Sequence, residues 1–455
     1  MIERTLLEYY RCPPEFVKMS PAGPLSSDSG YFRFGTSVCY GRSAYGSRVQ
    51  VPSNDLYDIL PTVIAHDEAL RVPFDVSEVV DNLRLERYAN PAGTGASRHA
   101  WHRPYYSLRR FIPLALRQRL QRRYFRDWKT LAFPRWPVDA SVDQLLERVL
   151  VLLLRSRGIT RLPFVWFWPH GAPSCAIVTH DIETEAGRDR CSWLMDEDDR
   201  YQIKASFQIV PEERYAVPAS FLEEIRARDF EINVHDLNHD GRLFASREEF
   251  IRRAERINGY LQTFGARGFR SGGLYRHPDW YDALQIDYDM SIPNAAHLEI
   301  QRGGCCTVMP YFIGPIIELP VTTTQDYSLF HILRDFSNDV WKNQIESVID
   351  RHGLISFIVH PDYLGQSHAR QAYRVLLDQL AHLREAGRCW ITLPGEVERW
   401  WRERSQMTLI RDGDHWRIEG AGKERARIAF AEVDGDDLIY RVTSGSWSGD
   451  DISGT

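Results

Sequence analysis

From about residue 160 to 400 the chain alternates eight short apolar runs with longer amphipathic segments. The runs are CAIVTHD, KASFQIV, FEINVHD, GFRSGG, YDMSI, IIELPV, ISFIVHP and RCWITL. Between them PASFLEEIRARD, SREEFIRRAERINGYLQTFG, NDVWKNQIESVIDRHG and ARQAYRVLLDQLAHLREAG place apolar residues at the three-to-four spacing of a helix with one buried face. Strands joined by helices must run parallel and be covered on their faces, so the segment is predicted to be of the α/β class. Eight such strands favour a distorted (β/α) barrel over an open sheet, and a barrel collects its strand ends at one mouth, where chemistry is built. We assign residues 159–404 to this barrel.

The flanks follow other patterns. Residues 1–158 are expected to form an N-terminal accessory region of α+β type. Loop-rich stretches such as SPAGPLSSDSGYFRFG and NPAGTGASRH surround a packed segment, NDLYDILPTVIAHDEAL. Within this region, residues 102–136 carry ten Lys or Arg against a single acid, Asp127. Leu116, Leu120 and Tyr124 recur at helical spacing beneath Arg117, Arg119, Arg122, Arg123 and Arg126. Such a segment can dock its apolar side on neighbouring structure, or make peripheral contact with an anionic membrane surface or an acidic polymer. The run SVDQLLERVLVLLLRSRG predicts a buried helix with Ser141 as its cap and Gly158 as its stop. Residues 405–455 contain MTLIRD, HWRIEG, RARIAFAEV and LIYRV separated by turn residues, the pattern of an antiparallel β meander.

At 455 residues the chain is long enough for two or three cores, and 43% apolar with 26% charged residues is the balance of a globular protein. A net charge of −6 gives no overall case for nucleic acid as a partner. Seven scattered cysteines form no CxxC pair, and the odd number argues against a fully paired disulfide framework. The N-terminal residues lack a basic segment followed by an apolar run, and the aliphatic run Val149 to Leu154 is far too short to span a bilayer. A cytoplasmic location is the expectation.

Candidate chemistry concentrates at the predicted strand ends. His235 and His239 lie four residues apart in VHDLNHDG, and one helical turn would bring both imidazoles to a single divalent ion. A carboxylate from Asp181 or Glu183, at the end of CAIVTHDIE, can complete three protein ligands and leave a position for water. Whichever carboxylate does not bind metal can serve as general base. His360, ending ISFIVH, is a candidate acid for the leaving group, because imidazole changes charge near neutral pH. Arg270 can orient the base through a bidentate contact. Each residue also has a structural reading: a satisfied core histidine, a buried ion pair, or a carboxylate capping the following helix. Tyr275, Trp280, Tyr281, Tyr311 and Tyr363 are candidates for stacking on sugar rings, or for ordinary core.

Taken in order, THDIE (179–183), HDLNH (235–239), RSGG (270–273) and IVHP (358–361) resemble the motif series of the polysaccharide deacetylases, the NodB-like carbohydrate esterases of family four. The resemblance covers residues 170 to 400. It implies a NodB-like barrel and metal-dependent removal of an N-acetyl or related N-acyl group from an amino sugar in a glycan or glycoconjugate. It further implies Asp181 as catalytic base, Arg270 as its tether, His360 as general acid, and His235 and His239 as metal ligands. Where the family has its second aspartate this chain has Ile182, so Glu183 is taken as the third ligand. Zinc is the expected ion, with cobalt, nickel or manganese compatible with the same donors. Proline of the family's arginine motif is replaced by Gly272, and no clear Asp/Trp motif is present, which left Asp287 or Asp289 as partners for His360. The alternatives are an amidase acting on a small non-sugar substrate and a barrel that binds carbohydrate without turnover.

Overall fold

The computed structural model describes residues 2–45, 49–66, 69–89, 114–413 and 415–443. Two compact units divide the chain. One gathers residues 1–88, 140–172 and 399–455, and the other gathers 89–139 and 173–398. Neither unit is a continuous run of the chain; each is assembled from separate stretches. The basic segment 102–136 belongs with the second unit, insofar as its residues are described.

The second unit is built on one large sheet. Its strands are β1 (Cys175–Ile182), β2 (Ser206–Ile209), β3 (Glu231–His235), β4 (Gly268–Arg270), β5 (Tyr288–Asp289), β6 (Tyr311–Ile313), β7 (Ile316–Glu318), β8 (Leu354–Val359) and β9 (Trp390–Ile391). All eight sequence-predicted strands are present; β6, which pairs antiparallel with β7, is additional. Their order is β6-β7-β5-β4-β3-β2-β1-β8, and all neighbours from β7 to β8 are parallel. Strand β1, next to last at the β8 end, is buried along its whole length, as a parallel strand covered on both sides must be. β9 pairs with its first residues on the edge that β2 takes further along.

The sheet curls into a half-barrel instead of closing by a continuous ladder. Residues just past β7 come alongside β8, and there the hydroxyls of Thr322 and Thr323 donate to the carbonyls of Leu354 and Ser356, each at 2.7 Å. The Ser356 amide returns a bond to Thr322 Oγ1 at 2.9 Å. Side chains thus satisfy backbone groups that a full barrel would pair strand to strand. Helices Cys191–Arg200, Ala219–Ala227, Arg247–Phe264, Asp339–Ile349 and Ser367–Glu385 connect the strands. Their apolar faces bury Leu194, Ile225, Ile257, Ile345 and Leu376 in one core with Val178, Phe207, Val234 and Phe357 of the sheet. The Arg247–Phe264 helix starts as its sequence predicts, with the Ser246 hydroxyl accepting from the Glu249 amide at 3.2 Å, and stops at Gly265 in the left-handed region.

Within the first unit, a 16-residue helix, Ser141–Ser156, starts one residue earlier than expected, with Ala140 in the cap position and Ser141 inside the first turn. The C-terminal strands form two hairpins, not one meander: Thr408–Asp412 with His415–Glu419, and Ile428–Asp434 with Asp437–Val442. Ile428–Asp434 also pairs with Arg161–Val165, residues that the sequence assigned to the barrel. All seven cysteines are buried and free. Among the described residues no helix is long and apolar enough to cross a membrane.

Candidate metal centre

Strand alternation decides which carboxylates meet. Successive residues of β1 point to opposite faces, so Thr179, Asp181 and Glu183 share one side, while His180 and Ile182 share the other. Ile182 is fully buried in the apolar core, and His180 bonds to Asp198 at 3.0 Å on that same side. Glu183 therefore takes the place on the site face that an aspartate at 182 could not reach from this strand.

Glu183, His235 and His239 each offer one ligand atom, and these atoms lie within 4.8 Å of one another. Glu183 Oε1 stands 2.9 Å from His239 Nε2 and 3.8 Å from His235 Nε2. His235 ends β3, and its Nδ1 faces the Arg270 carbonyl at 3.1 Å. A carbonyl only accepts, so Nδ1 carries the proton and Nε2 presents a lone pair toward the carboxylate. Nε2 of His235 and Nδ1 of His239 are buried without a hydrogen-bond partner among the described residues. Buried nitrogens converging on a carboxylate fit a divalent cation, the donor set being two imidazoles and one oxygen.

The two histidines meet by a route other than the expected helical turn. Residues 236 to 240 form an irregular loop, and both Asp236 and His239 adopt positive φ, 56° and 52°. Asp236 fixes the loop: its amide donates to the Arg270 carbonyl at 2.8 Å, and its carboxylate accepts from the amides of Leu237 at 2.6 Å and Gly272 at 3.2 Å. The rings end with centroids 4.9 Å apart. Gly272 explains its own departure from the family motif. A Cβ there would lie 2.5 Å from the Asp236 carboxylate and 2.9 Å from the His239 ring, and proline would remove the amide that bonds Asp236.

Asp181 lies beside this cluster, held elsewhere. Fully buried Arg270 donates to Asp181 Oδ1 at 2.7 Å, to Thr179 Oγ1 at 2.6 Å and, through Nε, to the Met290 carbonyl at 2.9 Å. The contact with Asp181 uses one guanidinium nitrogen, so it is not the bidentate pair expected. Burial opposes ionisation of Asp181, but Arg270 with His235 and His360 outweighs it and holds the carboxyl below its usual range. Its second oxygen stands 3.7 Å from His235 Nε2 and 4.0 Å from His360 Nε2.

His360 follows β8 and is oriented by Asp326, which sequence reasoning missed. Asp326 Oδ1 accepts from His360 Nδ1 at 2.7 Å, and Oδ2 accepts from its backbone amide at 2.7 Å. Nε2 is thereby aimed at Glu183, 3.5 Å away. Burial lowers the affinity of this imidazole for its proton, yet Asp326 and Glu183 outweigh burial and hold it well above the ordinary histidine value. The carboxylates first suggested for this role are engaged elsewhere: Asp287 with Arg267, and Asp289 with Ser291. The available signal for Asp326 was a carboxylate eight residues beyond a strand end, in VTTTQDYS.

Of the five aromatic candidates, Tyr363 is half-buried against His360, with ring centroids 4.8 Å apart. Tyr275, Tyr281 and Tyr311 are buried, and Trp280 stacks on His277 while packing on the core. Tyr327 and His331, which sequence reasoning did not select, adjoin Tyr363 at 5.3 and 4.8 Å.

No family model matches the sequence, and no curated protein matches it. Solved structures do. A probable polysaccharide deacetylase from Pseudomonas aeruginosa PAO1 is 12% identical, with 51% of this chain and 91% of that one covered at a TM-score of 0.40. PuuE allantoinase is 13% identical, with 52% and 92% covered at 0.38. The Xyl-CE4 domain of a multidomain xylanase from the hindgut metagenome of Trinervitermes trinervoides is 13% identical, with 50% and 90% covered at 0.32. Over about half its length the chain is thus similar in structure to polysaccharide deacetylases and other carbohydrate esterase family four proteins.

Proposed function

We propose that the second unit is a metal-dependent hydrolase that removes an N-acetyl or related N-acyl group from an amino sugar in a glycan or glycoconjugate. The observation that carries this reading is the convergence of Glu183, His235 and His239 beside an anchored Asp181 and an oriented His360. Glu183, His235 and His239 would hold the ion, with zinc the first expectation for this donor set. When bound, the ion supplies Lewis acidity, lowering the pKa of water and polarising a carbonyl.

The chain's own residues supply the proton transfers. Asp181, kept ionised by Arg270, accepts a proton from the water that adds to the acyl carbonyl. His360, with Nδ1 committed to Asp326, donates its Nε2 proton to the departing amine as the C–N bond breaks. The products are a free carboxylate and the amino sugar, with no covalent enzyme intermediate. Half-buried Tyr363 lies where a sugar ring could stack.

Two measurements test this reading: divalent metal content of the full chain and its His235→Ala/His239→Ala variant, and acetate release from a panel of N-acetylated amino sugars. About one ion per chain, lost in the variant together with acetate release, is expected. Absence of any bound ion after incubation with zinc, cobalt, nickel or manganese would falsify the hydrolase reading and leave a non-catalytic carbohydrate-binding barrel.

A further inference from the structure

We infer that the outer face of helix α1 (Leu114–Tyr124) is a docking surface for an anionic lipid bilayer. One side of this helix is occupied by its own unit. Gln121 pairs with the Tyr327 hydroxyl, Arg122 donates to the His331 carbonyl at 3.4 Å, and Phe125, just past the helix, is buried with Leu298 and Ile332. At 100° per residue, Arg119, Arg123, Leu120 and Tyr124 fall within an arc of about 140° on the other side. Leu120 is 44% and Tyr124 48% exposed, Tyr124 with its hydroxyl donating to the Ile300 carbonyl at 3.4 Å and Arg302 near its ring, while Arg119, Arg123 and Arg126 are exposed and form no ion pair with a described residue.

The combination selects a bilayer. The Leu120 side chain and the half-exposed ring of Tyr124, one turn apart while Phe125 anchors the helix from behind, keep apolar surface in water at a cost that a cover would remove. Flanking arginines favour a negatively charged cover, and their long stems allow the apolar pair to enter the interface while the guanidinium groups stay among headgroups. Tyrosine is itself suited to that boundary. The only acid within residues 119–130, Asp127, is engaged by Arg302 at 3.2 Å. Because α1 rests on Tyr327 and His331, which adjoin Tyr363 and through it His360, a docked surface lies close to the candidate centre. Resting on the hydrolase reading, this makes a membrane-embedded glycolipid the substrate class.

Vesicle flotation of the full chain tests the surface, using phosphatidylcholine alone or mixed with phosphatidylglycerol. Flotation is expected only with the anionic mixture, with release at high salt. Arg119→Ala/Arg123→Ala/Arg126→Ala should weaken partitioning by about two orders of magnitude, at roughly 1 kcal/mol per basic residue. The corresponding triple lysine variant should retain most of it, and Leu120→Ser/Tyr124→Ser should weaken it with the charges intact. Chelator-treated protein should float as well as untreated protein, so failure of the metal reading and failure of this one are separable. Absence of flotation by the parent protein, or equal flotation of the alanine and serine variants with unchanged circular dichroism, overturns the inference. Capture by polyglutamate without flotation also overturns it, in favour of an acidic polymer.

Discussion

Glu183 reaches the candidate centre because it stands two residues from Asp181 on an extended backbone, whereas Ile182 faces the helices. Moving the carboxylate back one position should therefore fail. Ile182→Asp/Glu183→Ala is expected not to restore divalent binding in calorimetric titration, and to lower stability by several kcal/mol, because a carboxylate would enter an apolar core without a partner. Recovery of metal affinity in this variant would show that residue 182 can turn toward the histidines. A second residue-scale test concerns Asp289 and Glu318, register partners on β5 and β7. Burial raises both carboxyls, and for Glu318 the neighbouring Asp289 raises it further. A carboxyl with a raised native pKa binds more protons folded than unfolded, so stability falls as pH rises from the ordinary carboxylate range through the native value. Glu318→Gln keeps an acceptor for the Ile292 amide and removes that ionisation. Denaturant unfolding at pH 5 and pH 8 should show the variant losing less stability than the parent over that interval, by on the order of 1 kcal/mol.

At the scale of elements, the strands were legible because each is an apolar run bounded by turn residues, and a parallel strand covered on both faces needs such a run. The histidine loop was not. A four-residue spacing resembles a helical turn, and what forces Asp236 and His239 to positive φ is contact with residues 270 to 272, more than thirty positions away. For the same reason the partner of His360 was missed, since Asp326 meets it only after the chain has curled past β7 to β8. The candidate ligands themselves were legible, their order along the chain mirroring the order of strand ends. Gly272→Ala probes the loop directly. Its Cβ must displace Asp236 or the His239 ring, so metal affinity is expected to fall about 10- to 100-fold, with secondary structure unchanged by circular dichroism. Unaltered affinity would mean that the loop has slack that its contacts do not suggest.

For the whole molecule, the feature with the widest consequence is that the first unit is made from three separated stretches. Truncation after Gln406 removes both C-terminal hairpins, including the strand that pairs with Arg161–Val165. Limited proteolysis should then cut early within residues 2–88 and 140–172, while 173–398 persists as a resistant fragment; equal resistance of both parts would show that the C-terminal strands are dispensable. The same arrangement sets a timetable during synthesis. All strands of the large sheet have been translated by Ile391, so that sheet can begin to pair while the ribosome is still adding the residues that end at Val442. Arg161–Val165 must instead wait for Ile428–Asp434, more than 260 residues later, so a pause or premature stop beyond residue 400 leaves that early strand without its partner and open to proteases and chaperones.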